Sequence, residues 1–146
     1  MITVEETLIS KLDAPQAFAY LREFEHTMQW DPGTPVVRKI SEGPAAVGSK
    51  YYAEAEFRGK RQPIEYVVTE IGEDHIQLRG ENKTVISVDT ITVLPSADGA
   101  TVTYRAEFSL KGILKVAEPF MKGTFQKLAK PAIDGMRTKL DSMVAS

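Results

Sequence analysis

Residues Val36 to Leu110 read as successive strands joined by short turns, and one long amphipathic stretch, Ile113 to Met143, follows them. A sheet followed by a single long helix has one economical packing, in which the sheet curls around the helix. One helix does not fill the concave face of six or seven strands, so a space is left between them where a small molecule can be held. The expected fold class is therefore α+β: a curved antiparallel sheet of six to seven strands wrapped around a long C-terminal helix, with short helices after the first strand.

The strands are read from alternation and from their turns. Thr3 to Leu12 forms a first strand of poor alternation. Asp13-Ala14-Pro15 then supplies a cap and a first-turn proline for a short helix ending near Glu25, with Ala17, Phe18, Leu21 and Phe24 at helical spacing. The turn-rich segment His26 to Gly33 follows and carries the single tryptophan, Trp30. A second strand spans about Val36 to Ser41. In the third, Tyr51, Ala53, Ala55 and Phe57 share one face against Tyr52, Glu54, Glu56 and Arg58. After the turn Arg58-Gly59-Lys60, the fourth strand faces Ile64, Tyr66 and Val68 inward, and the fifth faces Ile76 and Leu78 inward.

The sixth strand, Thr84 to Leu94, carries apolar residues on both faces and is read through its partner. Thr101 to Leu110 alternates cleanly, with Val102, Tyr104, Ala106, Phe108 and Leu110 on the apolar face. If the Pro95 to Gly99 loop pairs Val93 with Val102, Ile91 opposes Tyr104 and Asp89 opposes Ala106, which puts Ser87 and Asp89 inside. A slip of one residue puts Val88 and Thr90 there instead. The terminal stretch keeps one apolar stripe from Ile113 through Phe120, Met121, Phe125, Leu128, Ile133, Met136 and Leu140 to Met143, as one helix would. Pro119 and Pro131 interrupt it, and kinks are expected at both.

Bulk properties narrow the function classes. The 146 residues fit one domain, 1–146. The absence of cysteine excludes disulfides and thiol chemistry and points to a reducing, cytoplasmic setting. The N-terminal residues do not resemble a leader, and no apolar run approaches the roughly 20 residues of a membrane span, so no stable membrane insertion is expected. A net charge of −2 argues against nucleic acid as the main partner. From Lys111 onward, however, seven basic residues face three acidic ones, which makes the terminal helix basic on an acidic body and a conceivable docking surface for a membrane or protein. Two histidines without clustered carboxylates make no metal site, and no phosphate loop or nucleophile elbow is present, so no metal or cofactor is implied.

Four stretches resemble a known superfamily: Leu12-Asp13-Ala14-Pro15 entering Ala17, Phe18 and Leu21; Trp30-Asp31-Pro32; Glu42-Gly43-Pro44 with Val47-Gly48; and Gly99 to Tyr104 running to Lys111-Gly112-Ile113-Leu114. In this order the chain resembles the START-like and Bet v 1-like helix-grip proteins, grouped as SRPBCC proteins, which include the polyketide cyclase/dehydrase family. The resemblance implies a cavity that binds lipids, polyketides or other hydrophobic ligands, and in some members cyclisation or dehydration there. It implies no shared catalytic motif.

Several residues are candidates to carry that function. Asp89 on an inner face is costly unless paired or wet, so it is a polar anchor or a base of raised pKa. Tyr51, Tyr66 and Tyr104 combine apolar bulk with a hydroxyl that can orient a ligand, although core packing with the hydroxyl near an opening is the commoner role of such tyrosines. Trp30 is expected to close one end of the grip, and His26, next to it, to reach the cavity mouth. His75 is expected outside. Phe57 and Phe108 on the strands, with Phe120, Met121 and Phe125 on the terminal helix, complete an adaptable apolar lining. Three functions stay open: binding of a hydrophobic small molecule; a cyclase or dehydratase using Asp89 as base with a tyrosine or His26 as donor; and docking through the basic helix, with the cavity filled by side chains.

Overall fold

A computed structural model describes residues 1–57 and 59–144. Its elements are β1 (Ile2–Ser10), α1 (Ala14–Leu21), a 3-10 segment (Phe24–Gln29), β2 (Val36–Lys39), β3 (Lys50–Phe57), β4 (Lys60–Ile71), β5 (His75–Glu81), β6 (Val85–Ser96), β7 (Gly99–Leu110), a second 3-10 segment (Gly112–Ala117) and α2 (Glu118–Ser142). The strands form one antiparallel sheet in the order β1-β7-β6-β5-β4-β3-β2. The first strand pairs with the last along its whole length, and α1 with its 3-10 extension crosses to the far edge. Of the expected turn between β3 and β4, Arg58 lies outside the described residues.

The alternating strands pair as their apolar faces demand. Val93 opposes Val102, Ile91 opposes Tyr104 and Asp89 opposes Ala106, so the inner face of β6 carries Ser87, Asp89, Ile91 and Val93, all buried. A slip of one residue would turn these out to the convex face. Tyr51, Ala53, Ile64, Val68, Ile76 and Leu78 are buried on the same concave side.

The terminal stretch departs from the expectation of one continuous helix. A 3-10 segment without buried residues precedes α2, and Pro119 falls in the first turn of α2. At that position the missing N–H has no intrahelical partner to lose, so this proline starts the helix and does not kink it. Pro131 does lie inside the helix. Upstream, α1 ends at Leu21, earlier than expected, and Phe24 belongs to the 3-10 segment that follows. Asp13 caps α1 by accepting a bond from the Gln16 N–H at 2.8 Å.

Only the second half of α2 reaches the core. Ala132, Ile133, Met136 and Leu140 are buried, whereas between Phe120 and Pro131 no residue is. Two carboxylates hold the ends. Glu118 pairs with the N-terminal ammonium and accepts from the Leu110 N–H at 3.2 Å, and Asp141 accepts from Ser10 Oγ at 2.9 Å and the Lys11 N–H at 3.0 Å. Between them the helix lies against the chain at Gly135, where an added Cβ would stand 2.0 Å from the Trp30 carbonyl oxygen.

This contact predicts opposite outcomes for two helical glycines. Glycine inside a helix ordinarily costs about 1 kcal/mol relative to alanine. Gly123→Ala, with nothing within 4 Å of the new methyl, should stabilise the protein by roughly that amount. Gly135→Ala should instead destabilise it by about 1–3 kcal/mol, because a backbone oxygen must give way. Urea unfolding of both variants measures the two signs.

The candidate ligand cavity

The unsupported half of α2 and the concave sheet enclose a cavity of about 490 Å³. Its deep end is aromatic. Trp30 meets Tyr104 edge-on at 6.2 Å between ring centroids, and Phe24 lies against Tyr66 at 4.6 Å. Tyr66 fits there because its cross-strand partner is Gly80: a Cβ at that residue would stand 2.4 Å from the Tyr66 ring. At the other end, Phe125 of α2 stacks on Phe108 of β7 at 4.4 Å and lies nearly parallel to Phe57 of β3 at 6.2 Å. The helix is thus propped between two strands across the sheet's concavity. Met121, Leu128 and Ala129 line the cavity beside it.

One corner is polar. Asp89 Oδ1 accepts from Ser87 Oγ at 2.7 Å, and Oδ2 accepts from the Tyr104 hydroxyl at 3.2 Å. Burial raises the Asp89 carboxyl to about 6, while these two hydrogen bonds pull it down and the Asp31 charge adds to the rise. Burial and the nearby carboxylates push the Tyr66 and Tyr104 phenols well above the ordinary tyrosine range, so both remain protonated.

Asp31 faces the same cavity, and its sequence neighbourhood conceals it. Its Oδ1 accepts from the Gly33 N–H and its Oδ2 from Thr34 Oγ1, both at 2.8 Å, the bonds of an aspartate that shapes a turn. In Trp30-Asp31-Pro32-Gly33 it therefore reads as a turn residue. Its carboxyl is nevertheless pushed up by burial, and its charge acts on Asp89, Tyr66 and Tyr104.

Trp30, Phe57, Tyr66, Asp89, Tyr104, Phe108, Met121 and Phe125 all line the cavity. Three expected residues do not. Phe120 is 85% exposed, because at the start of α2 Met121 takes the cavity-facing position and nothing described covers Phe120 beside it. His26 stacks on Tyr20 at 4.4 Å and its Nδ1 lies 2.7 Å from the Tyr20 carbonyl oxygen, so it braces the end of α1 and does not reach the cavity mouth. Tyr51 points inward but packs edge-on against Phe24, and its hydroxyl donates to Glu23 Oε1 at 2.8 Å, behind the cavity wall. His75 sits on the outer side beside Glu70 and Asp74.

A curved seven-stranded antiparallel sheet gripping a C-terminal helix, with a cavity between them, defines a helix-grip protein of the START-like and Bet v 1-like kind. Within that class, the family model described as polyketide cyclase / dehydrase and lipid transport matches residues 1–141, and the chain belongs to that family. Among solved structures, it is similar to a START superfamily protein from Mycobacterium smegmatis, with 13% identity over 97% of this chain and 99% of that one and a TM-score of 0.83. It is also similar to the Zhui aromatase/cyclase from Streptomyces sp. R1128, with 11% identity over 99% and 96% of the two chains and a TM-score of 0.83. The di-domain aromatase/cyclase StfQ of the steffimycin biosynthetic pathway is 12% identical, with 97% of this chain covering 51% of that one at a TM-score of 0.75. No curated protein matches the chain. Among the described residues, no helix is long and apolar enough to cross a membrane, and no group of three or more His, Asp or Glu is placed to hold a metal.

The buried Asp89 carboxyl predicts a pH-dependent stability. Its folded pKa lies above its ordinary value of 3.8, so the folded state binds the proton more tightly than the unfolded one. Stability from this group is fully present below the ordinary value and is lost as pH rises through about 6. Asp89→Asn, which cannot ionise, should gain stability relative to the parent between pH 4 and 7, by about 1–3 kcal/mol at roughly 1.4 kcal/mol per pKa unit. Denaturant titrations at the two pH values measure the gain.

Proposed function

We propose that residues 1–146 form a single ligand-binding domain that takes up a hydrophobic small molecule, a lipid, polyketide or other aromatic compound, between α2 and the sheet. The observation that carries this reading is the cavity itself: about 490 Å³, walled mainly by apolar and aromatic side chains, with hydroxyls and carboxyls gathered in one corner. Trp30, Phe57, Phe108, Met121 and Phe125 serve as walls, and Tyr66, Asp89 and Tyr104 orient the ligand. The cysteine-free composition supports a cytoplasmic place for this activity. The open cavity favours ligand binding over docking through the basic helix, the alternative in which side chains would fill that space.

A second reading, an enzyme of the cyclase or dehydratase type, is supported by Asp89, whose carboxyl sits near 6 within a hydrogen bond of the Tyr104 phenol. Asp89 would take a proton from a carbon beside a ligand carbonyl while the Tyr66 phenol donates to the carbonyl oxygen and Tyr104 holds the Asp89 carboxyl in place. His26 has no part in this reading, since it lies outside the cavity.

Native mass spectrometry of gently purified protein tests the container, followed by denaturation to identify what is released. The expected result is an apolar adduct at one per chain that Ala106→Phe or Ala132→Phe, which fill the cavity, diminishes. An adduct indifferent to both would contradict the site. For the enzyme reading, Asp89→Asn should abolish turnover of a polyketide substrate while ligand retention persists; undiminished turnover would remove the base.

A further inference from the structure

The charged side chains lining the cavity are Asp31, Glu56 and Asp89, and among the described residues lining it there is no lysine, arginine or histidine. We infer that the ligand carries a positively charged, hydrogen-bond-donating head, a hydrophobic amine, and that carboxylates and phosphates are rejected. This rests on the container reading and names its ligand class. The cavity is the site, and the carboxylates decide which chemistry suits it.

The hydrogen-bond inventory of the corner supports the assignment. Each oxygen of Asp31 and Asp89 accepts one bond from within the protein, from Gly33, Thr34, Ser87 and Tyr104. Each retains a second lone pair directed at whatever else is present. The protein hydroxyls of Ser87 and Tyr104 are already committed as donors to Asp89. The neutral Tyr66 hydroxyl beside Ser87 is a further donor, so what the corner is short of among the described lining residues is positive charge to balance its carboxylates. A ligand ammonium supplies donors, offsets the buried negative charge and meets the aromatic faces of Trp30, Tyr66 and Tyr104. An anionic head would lose its hydration in a weakly polar cavity and meet like charge, with no cation among the described lining residues to compensate.

Glu56 differs from the other two. It lies exposed at the rim and forms an ion pair with Arg61 at 3.8 Å, so the charge felt by a deep ligand comes from Asp31 and Asp89. Both have carboxyls raised by burial, and the phenols of Tyr66 and Tyr104 that face them stay neutral. A cation should bind best where both carboxyls are ionised, so the preference for an amine grows as pH rises through about 6.

Three probes with one apolar body test this: anthracen-9-ylmethylamine, anthracen-9-ylmethanol and anthracene-9-carboxylate, titrated by fluorescence at about pH 7.5 and about pH 5. The amine should bind about tenfold or more tighter than the alcohol at the higher pH, with the carboxylate weakest, and its advantage should shrink several-fold at the lower pH. In the Asp31→Asn/Asp89→Asn double variant, the amine should fall to the level of the alcohol measured on the same variant. If that variant does not fold, the pH dependence of the amine-to-alcohol ratio in the parent decides. A carboxylate that binds as well as the amine, a ratio flat with pH, or an amine preference that survives the double variant would overturn the assignment and leave the container standing. Failure of all three probes to bind would overturn the container reading and this one with it.

Discussion

The position of α2 on the sheet is the constraint from which the rest follows. Ala132, Ile133, Met136 and Leu140 fix its second half in the core, and Gly135 allows the helix backbone to approach Trp30 where any side chain would prevent it. Glu118 holds the beginning of the helix to the end of β7, so the first half spans the concavity without descending into it. Phe125, stacked between Phe108 and Phe57, keeps this half at a distance set by three rings. The cavity is what remains when a helix is fastened at its ends and propped in the middle.

The polar corner is a local cost carried by the fold. An apolar pair in place of Ser87 and Asp89 would suit the inner face of β6 better, since a buried carboxyl loses hydration that two hydrogen bonds only partly restore. The register allows no alternative, because Ile91 and Val93 lie on the same face and must be buried. A strand that holds its apolar residues inside thus carries Asp89 inside with them. Residues that weaken local packing consistency in this way concentrate at functional sites.

Much of this was legible in the residues. The clean alternation of β3 and β7 identified their inner faces, and β7 in turn resolved β6, whose own pattern is ambiguous. Asp89 follows from that pairing, Tyr104 and Phe108 from the alternation of β7, and Tyr66 from the alternation of β4. The terminal stripe was less informative, since helical periodicity says which side of a helix is apolar but not how far along its length something covers that side. Phe120 belongs to the stripe and is exposed for this reason. Trp30 was legible as a closing residue, but Asp31 beside it was hidden by its turn bonds to Gly33 and Thr34. His26 and Tyr51 find partners in Tyr20 and Glu23, contacts that arise from the 3-10 segment and have no signature in periodicity.

The space beneath the first half of α2 is the proposed seat of an apolar molecule. Methyl NMR of protein labelled at isoleucine, leucine and alanine, titrated with anthracen-9-ylmethanol, tests it most directly. The methyls of Leu78, Ile91, Ala106 and Ala129, which line the cavity, should shift together, while the exposed Ile113 stays unmoved. Shifts confined to Ile113 and the exposed beginning of α2, with Leu78 and Ile91 unchanged, would contradict it.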